Sequence, residues 1–265
     1  MIFTVDRPDD SRLDPFRWRD RQLASKLDRL ESVGAGLFVA EGDLVVQRAL
    51  DSGCAPQALL CDETMGAHFE QVLPNVDIYI ASEDFRREIT GLGVPLRATG
   101  LFSRPPLRDP DELIASSRRI IVAEAVDNPT NLGAITRSAV ALGWDALILC
   151  EGSADPLARR ALRVSMGTGL MLPFARVAHN QSIQSLLSSH ECESFALTPH
   201  ASARDIAEVK VAPQQKITLM FGSERDGLSD SLLASATHKV RIPMHSGVDS
   251  LNVGAAAAIA LYQLR

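Results

Sequence analysis

The second half of the chain alternates short, almost entirely apolar runs with longer stretches of helical periodicity. The clearest run is 120–123, Ile-Ile-Val-Ala, and the helical pattern after it places Leu132, Ile135 and Ala139 on one face. Strands that are apolar without interruption are typical of parallel sheets covered by helices on both faces. Strands that alternate with helices are joined by right-handed crossovers. The sequence therefore predicts an α/β fold with a mostly parallel sheet in this half.

The same patterns predict the remaining elements and one domain boundary. Prolines at 105, 106 and 110 disfavour helix and central strand, so we place the boundary at 110, giving domains 1–110 and 111–265. Residues 1–15 are predicted to be a loose leader and 111–117 a connecting turn. Predicted strands are 36–40, 58–61, 76–80, 119–126, 145–150, 172–177, 194–197, 217–221 and 240–242. Predicted helices are 17–30, 41–50, one from Ser82, one from Thr130 to Gly143, 156–166, 181–190, 227–236 and 250–264.

Composition excludes several classes of protein. The 265 residues are 46% hydrophobic and 23% charged, which are ordinary globular values. No apolar run approaches the roughly 20 residues that span a bilayer, and 1–14 lack the apolar core of a signal peptide. We expect a cytoplasmic protein without membrane association. The four cysteines and six histidines lack the spacing of metal ligands, so neither a metal site nor a disulfide is expected.

The net charge of −6 argues against a protein that coats nucleic acid indiscriminately, because such binding depends on neutralising phosphates. A local RNA site remains compatible with this charge. Two basic clusters stand out, although each alone is more simply interpreted as a solvated helix face. The clusters are Arg17, Arg19, Arg21, Lys26 and Arg29, and Arg159, Arg160 and Arg163.

Three segments each join a predicted strand end to turn residues and a helix start: 127–137, 221–227, and 242–244 with 250–253. Ligands of open α/β sheets bind beyond the carboxyl ends of the strands, so one shared pocket is predicted. Glu224 would be costly at a strand end without a cation, and Arg137 is the predicted partner. The simpler alternatives are helix caps, a surface arginine and a tight turn. No phosphate loop or nucleophile elbow occurs.

Together the three segments resemble the SpoU family, also called the TrmH family, of AdoMet-dependent RNA ribose 2′-O-methyltransferases. The family pattern N-x-G-A-I-x-R is matched at 131–137 and G-x-E-x-x-G at 222–227. The pattern I-P-M followed by S-L-N-V-S is matched at 242–244 and 250–253, but Gly254 stands in place of the last serine. Because glycine within a helix costs about 1 kcal/mol against alanine, we expect a close contact there. The resemblance covers roughly residues 35–265, and 163–167 also resemble the family's segment between the first two motifs.

The resemblance implies a C-terminal, parallel-sheet, trefoil-knotted (SPOUT-type) methyltransferase domain and a homodimer with the C-terminal helix at the interface. It implies an L30e-like α/β substrate-binding domain at the N-terminus. S-adenosyl-L-methionine is the implied cofactor and RNA the implied substrate, with rRNA favoured over tRNA. The residues implied to act in catalysis are Arg137, Asn131, Glu224, Ser250 and Asn252. Those implied to hold the cofactor are Gly222, Ile242 and Leu251.

Two alternatives stay open on the sequence. A non-catalytic RNA-binding protein could retain the fold, although such a protein has no reason to keep an AdoMet pocket. A different α/β enzyme, such as a nucleotide-dependent one, is disfavoured by the missing phosphate loop.

Overall fold

The computed structural model of the chain describes residues 1–7, 9–24, 36–245 and 248–265. It divides into two compact units. Unit 1 contains 1–106 together with 157–170, and unit 2 contains 107–156 together with 171–265. The predicted division at 110 assigned 156–166 to the C-terminal domain, whereas Leu157–Leu170 pack within unit 1.

The first 106 residues of unit 1 form a mixed sheet with helices between its strands. In the described residues the strand order is β1-β4-β3-β5-β2; β4 is parallel to β1 and β3, and β5 is antiparallel to β3 and β2. The strands are β1 (Ile2–Thr4), β2 (Leu37–Glu41), β3 (Pro56–Cys61), β4 (Asp77–Ile80) and β5 (Ala98–Ser103). The helices are α1 (Asp14–Arg17), α2 (Asp20–Leu23), α3 (Asp43–Asp51), α4 (Glu63–Val72) and α5 (Glu83–Thr90).

Several predictions for this region were wrong. The supposed leader contributes β1, which pairs with β4, and the fully buried side chain of Leu13. A three-residue strand is too short to show a period in sequence, so its partner decides its conformation. The predicted helix 17–30 breaks at Trp18, which is extended (φ −59°, ψ 141°), and the part beyond Ala24 lies outside the described residues. Strand β5 and helix α4 were not predicted.

Unit 2 is built on a sheet in which every described strand pairing is parallel, as the sequence predicts. The strand order is β10-β12-β9-β11-β6-β7-β8. The strands are β6 (Arg119–Ala123), β7 (Ala146–Leu149), β8 (Phe174–Arg176), β9 (Glu193–Leu197), β10 (Arg204–Asp205), β11 (Ile217–Phe221) and β12 (His238–Arg241). The helices are α6 (Pro110–Ser116), α7 (Pro129–Ala141), α9 (Ile183–Ser189), α10 (Asp230–Ser235) and α11 (Val253–Gln263), while α8 (Arg159–Ser165) belongs to unit 1.

Both faces of this sheet are covered, which explains the apolar strands. In β6, Ile121 and Ala123 belong to the core that includes α7 and α11, whereas Ile120 and Val122 belong to the core that includes α6, α9 and α10. Alternate residues of a strand point to opposite faces, so a strand buried on both must be apolar throughout.

The connecting turn predicted at 111–117 is instead helix α6. The Asp109 carboxylate accepts hydrogen bonds from the backbone N–H groups of Asp111 (2.8 Å) and Glu112 (3.2 Å), and Pro110 occupies the first helical position. A proline there is compatible with a helix, because its missing N–H would have no partner in any case. No helix in the described part of the chain is long and apolar enough to cross a membrane.

Candidate active site

A cavity of about 410 Å³ lies at the carboxyl ends of β9, β11 and β12 in unit 2. Its walls come from the last residues of these strands, the loops that follow them and the first turn of α11. Most of the wall is apolar, and Glu224 and Arg225 are its charged residues among those that the structure describes. The lining residues are Leu197, Thr198, Pro199, Phe221, Gly222, Ser223, Glu224, Arg225, Gly227, Ile242, Met244, Ser250, Leu251, Asn252, Val253 and Ala256.

The loop after β11 is a closed turn that requires both of its glycines. Ser223 and Gly227 exchange backbone hydrogen bonds of 3.1 Å in both directions. A Cβ at Gly222 would lie 2.0 Å from the carbonyl carbon of Gly227, and Gly227 itself has φ +71°. No side chain fits at Gly222, and residues with a side chain rarely adopt the backbone conformation of Gly227. The turn therefore fixes where the Glu224 and Arg225 backbones stand at the cavity.

Helix α7 begins with a cap that places Asn131 in its first turn. The Asn128 side chain accepts a hydrogen bond from the Thr130 N–H (2.9 Å), and Pro129 occupies the first turn. Asparagine at the N-cap followed by proline is a strong start signal for a helix. Asn131 is buried, with 6% of its surface exposed, so its amide must find hydrogen-bond partners within the protein.

Helix α11 begins with Asn252, whose side chain serves two purposes. Its Oδ1 accepts from the N–H groups of Gly254 (3.0 Å) and Ala255 (3.3 Å), which caps the helix. Its Nδ2 donates to Oδ1 of Asn131 (3.0 Å), and Nδ2 of Asn131 donates to Glu224. We call the chain Asn252–Asn131–Glu224 the amide network. It joins one residue from each of the three segments in which the sequence predicts a shared pocket.

The orientation of the Asn131 amide follows from its two neighbours. Glu224 offers only acceptor oxygens when ionised, so the atom facing it must be the Asn131 Nδ2. The Asn131 Oδ1 then faces Asn252, which must present its own Nδ2 and keep Oδ1 for the helix N-terminus. Each amide is therefore held in one of its two flipped orientations by hydrogen bonding.

The predicted cofactor residues Gly222, Ile242 and Leu251 and the predicted catalytic residues Glu224, Ser250 and Asn252 all line the cavity. Asn131 reaches it through the amide network. Arg137 is exposed on α7, six residues beyond Asn131, which corresponds to about 9 Å along the helix axis. The Glu224 carboxylate is bound by the Asn131 amide, and its predicted pairing with Arg137 stays a prediction.

Sequence reasoning missed two parts of the cavity wall. The segment 197–199 follows β9, and the rule that ligands bind beyond strand ends could have identified it. Arg225 was noted only as a turn residue. It is exposed and, within the described residues, its side chain makes no hydrogen bond or ion pair.

The close contact expected at Gly254 is present. A Cβ built there would lie 3.0 Å from Cβ of Ala134 on α7 and 3.2 Å from Oδ1 of Asn252. Glycine thus lets α11 approach α7 at the point where the amide network crosses between the two helices.

Thiol and metal chemistry find little support in the described residues. Burial raises the pKa of the Cys61 and Cys150 thiols to about 12, so both stay protonated and unreactive near neutral pH. Among the residues described, no group of three or more His, Cys, Asp or Glu side chains is placed to bind a metal ion.

Residues 118–262 match the model of the SpoU rRNA methylase family, which is more than half of the chain. The chain belongs to the SpoU rRNA methylase family. It is 37% identical to an uncharacterized tRNA/rRNA methyltransferase of Mycobacterium tuberculosis over 97% of this chain and 89% of that protein. It is 27% identical to the 23S rRNA (guanosine(2553)-2′-O)-methyltransferase RlmP of Bacillus subtilis over 92% of this chain and 94% of that protein.

Two solved methyltransferase structures share the fold along almost the whole chain. The AdoMet-bound rRNA methyltransferase from Sinorhizobium meliloti superimposes with a TM-score of 0.82, covering 99% of this chain and 97% of that one at 25% identity. The SpoU methyltransferase AviRb from Streptomyces viridochromogenes, in complex with AdoMet, has a TM-score of 0.79 at 22% identity, with 96% of each chain covered. The family resemblance inferred from the three motifs is therefore confirmed.

Proposed function

We propose that this SpoU-family protein transfers a methyl group from AdoMet to a ribose 2′-hydroxyl of RNA, with rRNA favoured over tRNA. The amide network at the edge of the cavity is the observation that carries this proposal, because it binds the three motif segments into one site. The whole-length similarity to a 23S rRNA 2′-O-methyltransferase supports rRNA as the substrate class.

The cavity fits AdoMet in size and chemistry. Its volume of about 410 Å³ falls within the range of small-ligand pockets, roughly 300–1,000 Å³. Phe221, Ile242 and Leu251 offer apolar surface to an adenine ring, and Gly222 leaves backbone rather than side chain at the end of β11. When bound there, AdoMet supplies an electrophilic methyl group on a sulfonium. The protein must then orient the ribose hydroxyl and provide for the removal of its proton.

The residues around the cavity divide this task. Glu224 carries a carboxylate whose position is set by Asn131, and Ser250 and Asn252 add hydrogen-bonding groups at the same wall. Much of the rate gain in such a transfer comes from holding the reacting groups in line. A guanidinium is a poor proton acceptor and a good donor to phosphate, so Arg137 clamps the RNA phosphate and the hydroxyl rather than acting as the base.

The proposal also includes further features that the family resemblance implies. The proposal includes a cytoplasmic location and a homodimer with α11 at the interface. Ile259 and Tyr262 support the interface, because they leave apolar surface exposed on α11. A trefoil knot in unit 2 is supported by the insertion of β12 between β10 and β9 in a parallel sheet. An L30e-like RNA-binding role for the N-terminal domain is supported by the mixed α/β sheet of unit 1.

Methyl transfer to RNA by Arg137→Ala tests the proposal. We expect kcat/KM to fall about 100-fold or more, because a clamp that positions the reacting hydroxyl is removed. Arg108→Ala is the matched control, since Arg108 is also an exposed arginine of unit 2. Turnover of the Arg137 variant at the wild-type level contradicts the assignment.

Calorimetry with AdoMet decides between the enzyme and a non-catalytic RNA-binding protein. We expect micromolar binding, or tighter, that is lost when the cavity wall is altered by Gly222→Val. A wild-type protein that binds RNA but neither binds AdoMet nor transfers methyl groups would establish the non-catalytic alternative.

A further inference from the structure

The described arginines of the two basic clusters, which lie about 140 residues apart in sequence, meet in unit 1; Lys26 and Arg29 lie outside the described residues. The Asp20 carboxylate accepts the backbone N–H of Arg159 at the start of α8 (2.9 Å). The Arg159 guanidinium donates to the carbonyl oxygens of Phe16 and Trp18 (3.1 Å each). These contacts place the segment of α1 and α2 directly against the first turn of α8. Neither cluster alone predicts this, because each is compatible with a solvated helix face.

Arg159 is the structural member of the combined cluster. Its Nε donates to Oε1 of Glu41 (2.6 Å), and another of its nitrogens donates to the Thr90 carbonyl oxygen (3.3 Å). Glu41 also accepts from Arg163, and its own side chain is fully buried. We call Glu41, Arg159 and Arg163 the charge cluster. It holds α8 in unit 1, and both oxygens of the Glu41 carboxylate accept hydrogen bonds within it.

Within the described residues, the three carboxylates Asp14, Asp20 and Glu41 are each engaged, and the arginines around them are more numerous. Asp14 pairs with Arg17 (2.9 Å), Asp20 is bound by Arg159, and Glu41 is bound within the charge cluster. In the described part of the chain, the exposed side chains of Arg19 and Arg160 make no hydrogen bond or ion pair. Six arginines therefore stand against three carboxylates in 14–21, 159–163 and Glu41. We call four arginines that keep exposed surface here the arginine patch: Arg17, Arg19, Arg160 and Arg163.

We propose that the arginine patch binds the phosphodiester backbone of the RNA substrate. Guanidinium groups suit this role, because their planar fork donates two hydrogen bonds to a phosphate. The local excess of positive charge also explains how a chain of net charge −6 can bind RNA, since phosphate contacts need only the charge that faces them. The proposal rests on the proposed function and adds the place where the RNA is held.

A second cationic surface in unit 2 is the competing site. A cleft of about 450 Å³ is lined by Arg204, Lys210 and Lys239. Its acids offset this charge, because Arg204 already contacts Glu208 and His238 contacts Glu193 at the same cleft. Among the described residues of the cleft, Lys210 and Lys239 are its only unpaired cations. An ammonium is a compact point charge and lacks the two parallel donors of a guanidinium. The arginine patch is therefore the stronger phosphate site, and the cleft provides a control of equal charge.

The test compares the double variants Arg19→Ala/Arg160→Ala and Lys210→Ala/Lys239→Ala, which remove two charges each. The affinity of each for an unmodified 23S rRNA transcript is measured without AdoMet over a range of salt concentrations. For the arginine variant we expect Kd to rise roughly tenfold at 150 mM salt and the slope of log Kd against log salt to fall by about 2. The melting temperature and the AdoMet affinity should match the wild type, because neither side chain makes a hydrogen bond or ion pair with any residue that the structure describes. The lysine variant should keep the wild-type slope.

The patch assignment is overturned if the arginine variant keeps the wild-type slope, whether or not the lysine variant loses it. Loss of slope in the lysine variant alone would place the RNA on the cleft of unit 2. The proposed function fails separately. In that case the wild-type protein binds the transcript and transfers no methyl group to it.

Discussion

The amide network of unit 2 and the charge cluster of unit 1 both join segments more than ninety residues apart in sequence. The two networks differ in the charge and burial of their side chains. The amide network consists of neutral side chains and one exposed carboxylate beside a cavity. The charge cluster consists of a carboxylate with no exposed surface and two arginines, 14% and 36% exposed. The amide network lies beside the cavity for which methyl transfer is proposed, and the charge cluster fixes α8.

This difference in charge and burial predicts that removing a partner lowers stability by different amounts in the two networks. The amide network contains one bond between two neutral amides and one bond to a carboxylate, and hydrogen bonds of these kinds contribute about 0.5–3 kcal/mol each to stability. Removing one partner of a buried ion pair costs about 3–5 kcal/mol, because the remaining charge has no compensation. Mutations in the charge cluster should therefore act on folding, and mutations in the amide network on methyl transfer.

The largest effect on stability is expected for Glu41→Gln. We expect the free energy of unfolding to fall by about 3 kcal/mol, since two arginines lose their buried carboxylate while the shape of the side chain is kept. Denaturant unfolding measures this directly. AdoMet binding in unit 2, measured at a temperature where the variant is folded, should stay at the wild-type level.

Glu88→Gln is the control for this variant. Glu88 is an exposed carboxylate on α5 of the same unit, so the same chemical change should cost less than about 0.5 kcal/mol. Equal losses in the two variants would mean that the charge cluster contributes nothing specific, and the comparison between the networks would break.

The middle effect is expected for Asn252→Ala, which removes one end of the amide network. The lost helix cap should cost about 1 kcal/mol of stability. Methyl transfer should fall by about tenfold or more, equivalent to ~1.4 kcal/mol, because the Asn131 amide loses the partner that fixes its orientation towards Glu224.

Ser82→Ala separates these two consequences. The Ser82 hydroxyl caps α5 in unit 1 by accepting from the Phe85 N–H (3.3 Å), so its loss should cost a similar amount of stability. Methyl transfer should remain as in the wild type. If both cap variants lose activity equally, the effect of Asn252 is a matter of stability alone.

The same contrast explains which parts of the structure the sequence could predict. The parallel sheet of unit 2 was predictable, because a strand buried on both faces must be apolar and 120–123 shows this directly. Strand β1 was not predictable, since its three residues fold onto β4 only when the whole sheet is present. Helix α6 was hidden by prolines that are compatible with a helix start, so a turn was inferred where Pro110 begins a helix.

For the site, local turn chemistry identified Gly222, Glu224 and Asn252, because glycines and caps have strict local requirements. The hydrogen bond from the Asn131 amide to Glu224 was not predictable, since charge alone favoured Arg137 and says nothing about neutral partners. The meeting of the two arginine clusters was not predictable either. Their contact depends on residues 157–170 packing in unit 1, which no local pattern indicates.

The smallest effect is expected for Gly254→Ala, and it tests how tightly the amide network is held. Alanine improves helix propensity by up to about 1 kcal/mol, but the new methyl group would lie 3.0 Å from the Ala134 Cβ and must push α11 away from α7. We expect these two effects to leave a net loss of stability of less than about 1 kcal/mol, with a lower rate of methyl transfer because Asn252 moves with the helix.

Ala255→Gly, at the next and exposed position, should cost a similar amount of stability through propensity alone and leave the rate unchanged. A Gly254→Ala variant that is both more stable and fully active would show that the two helices have room to separate, and that the amide network tolerates more movement than its hydrogen bonds suggest.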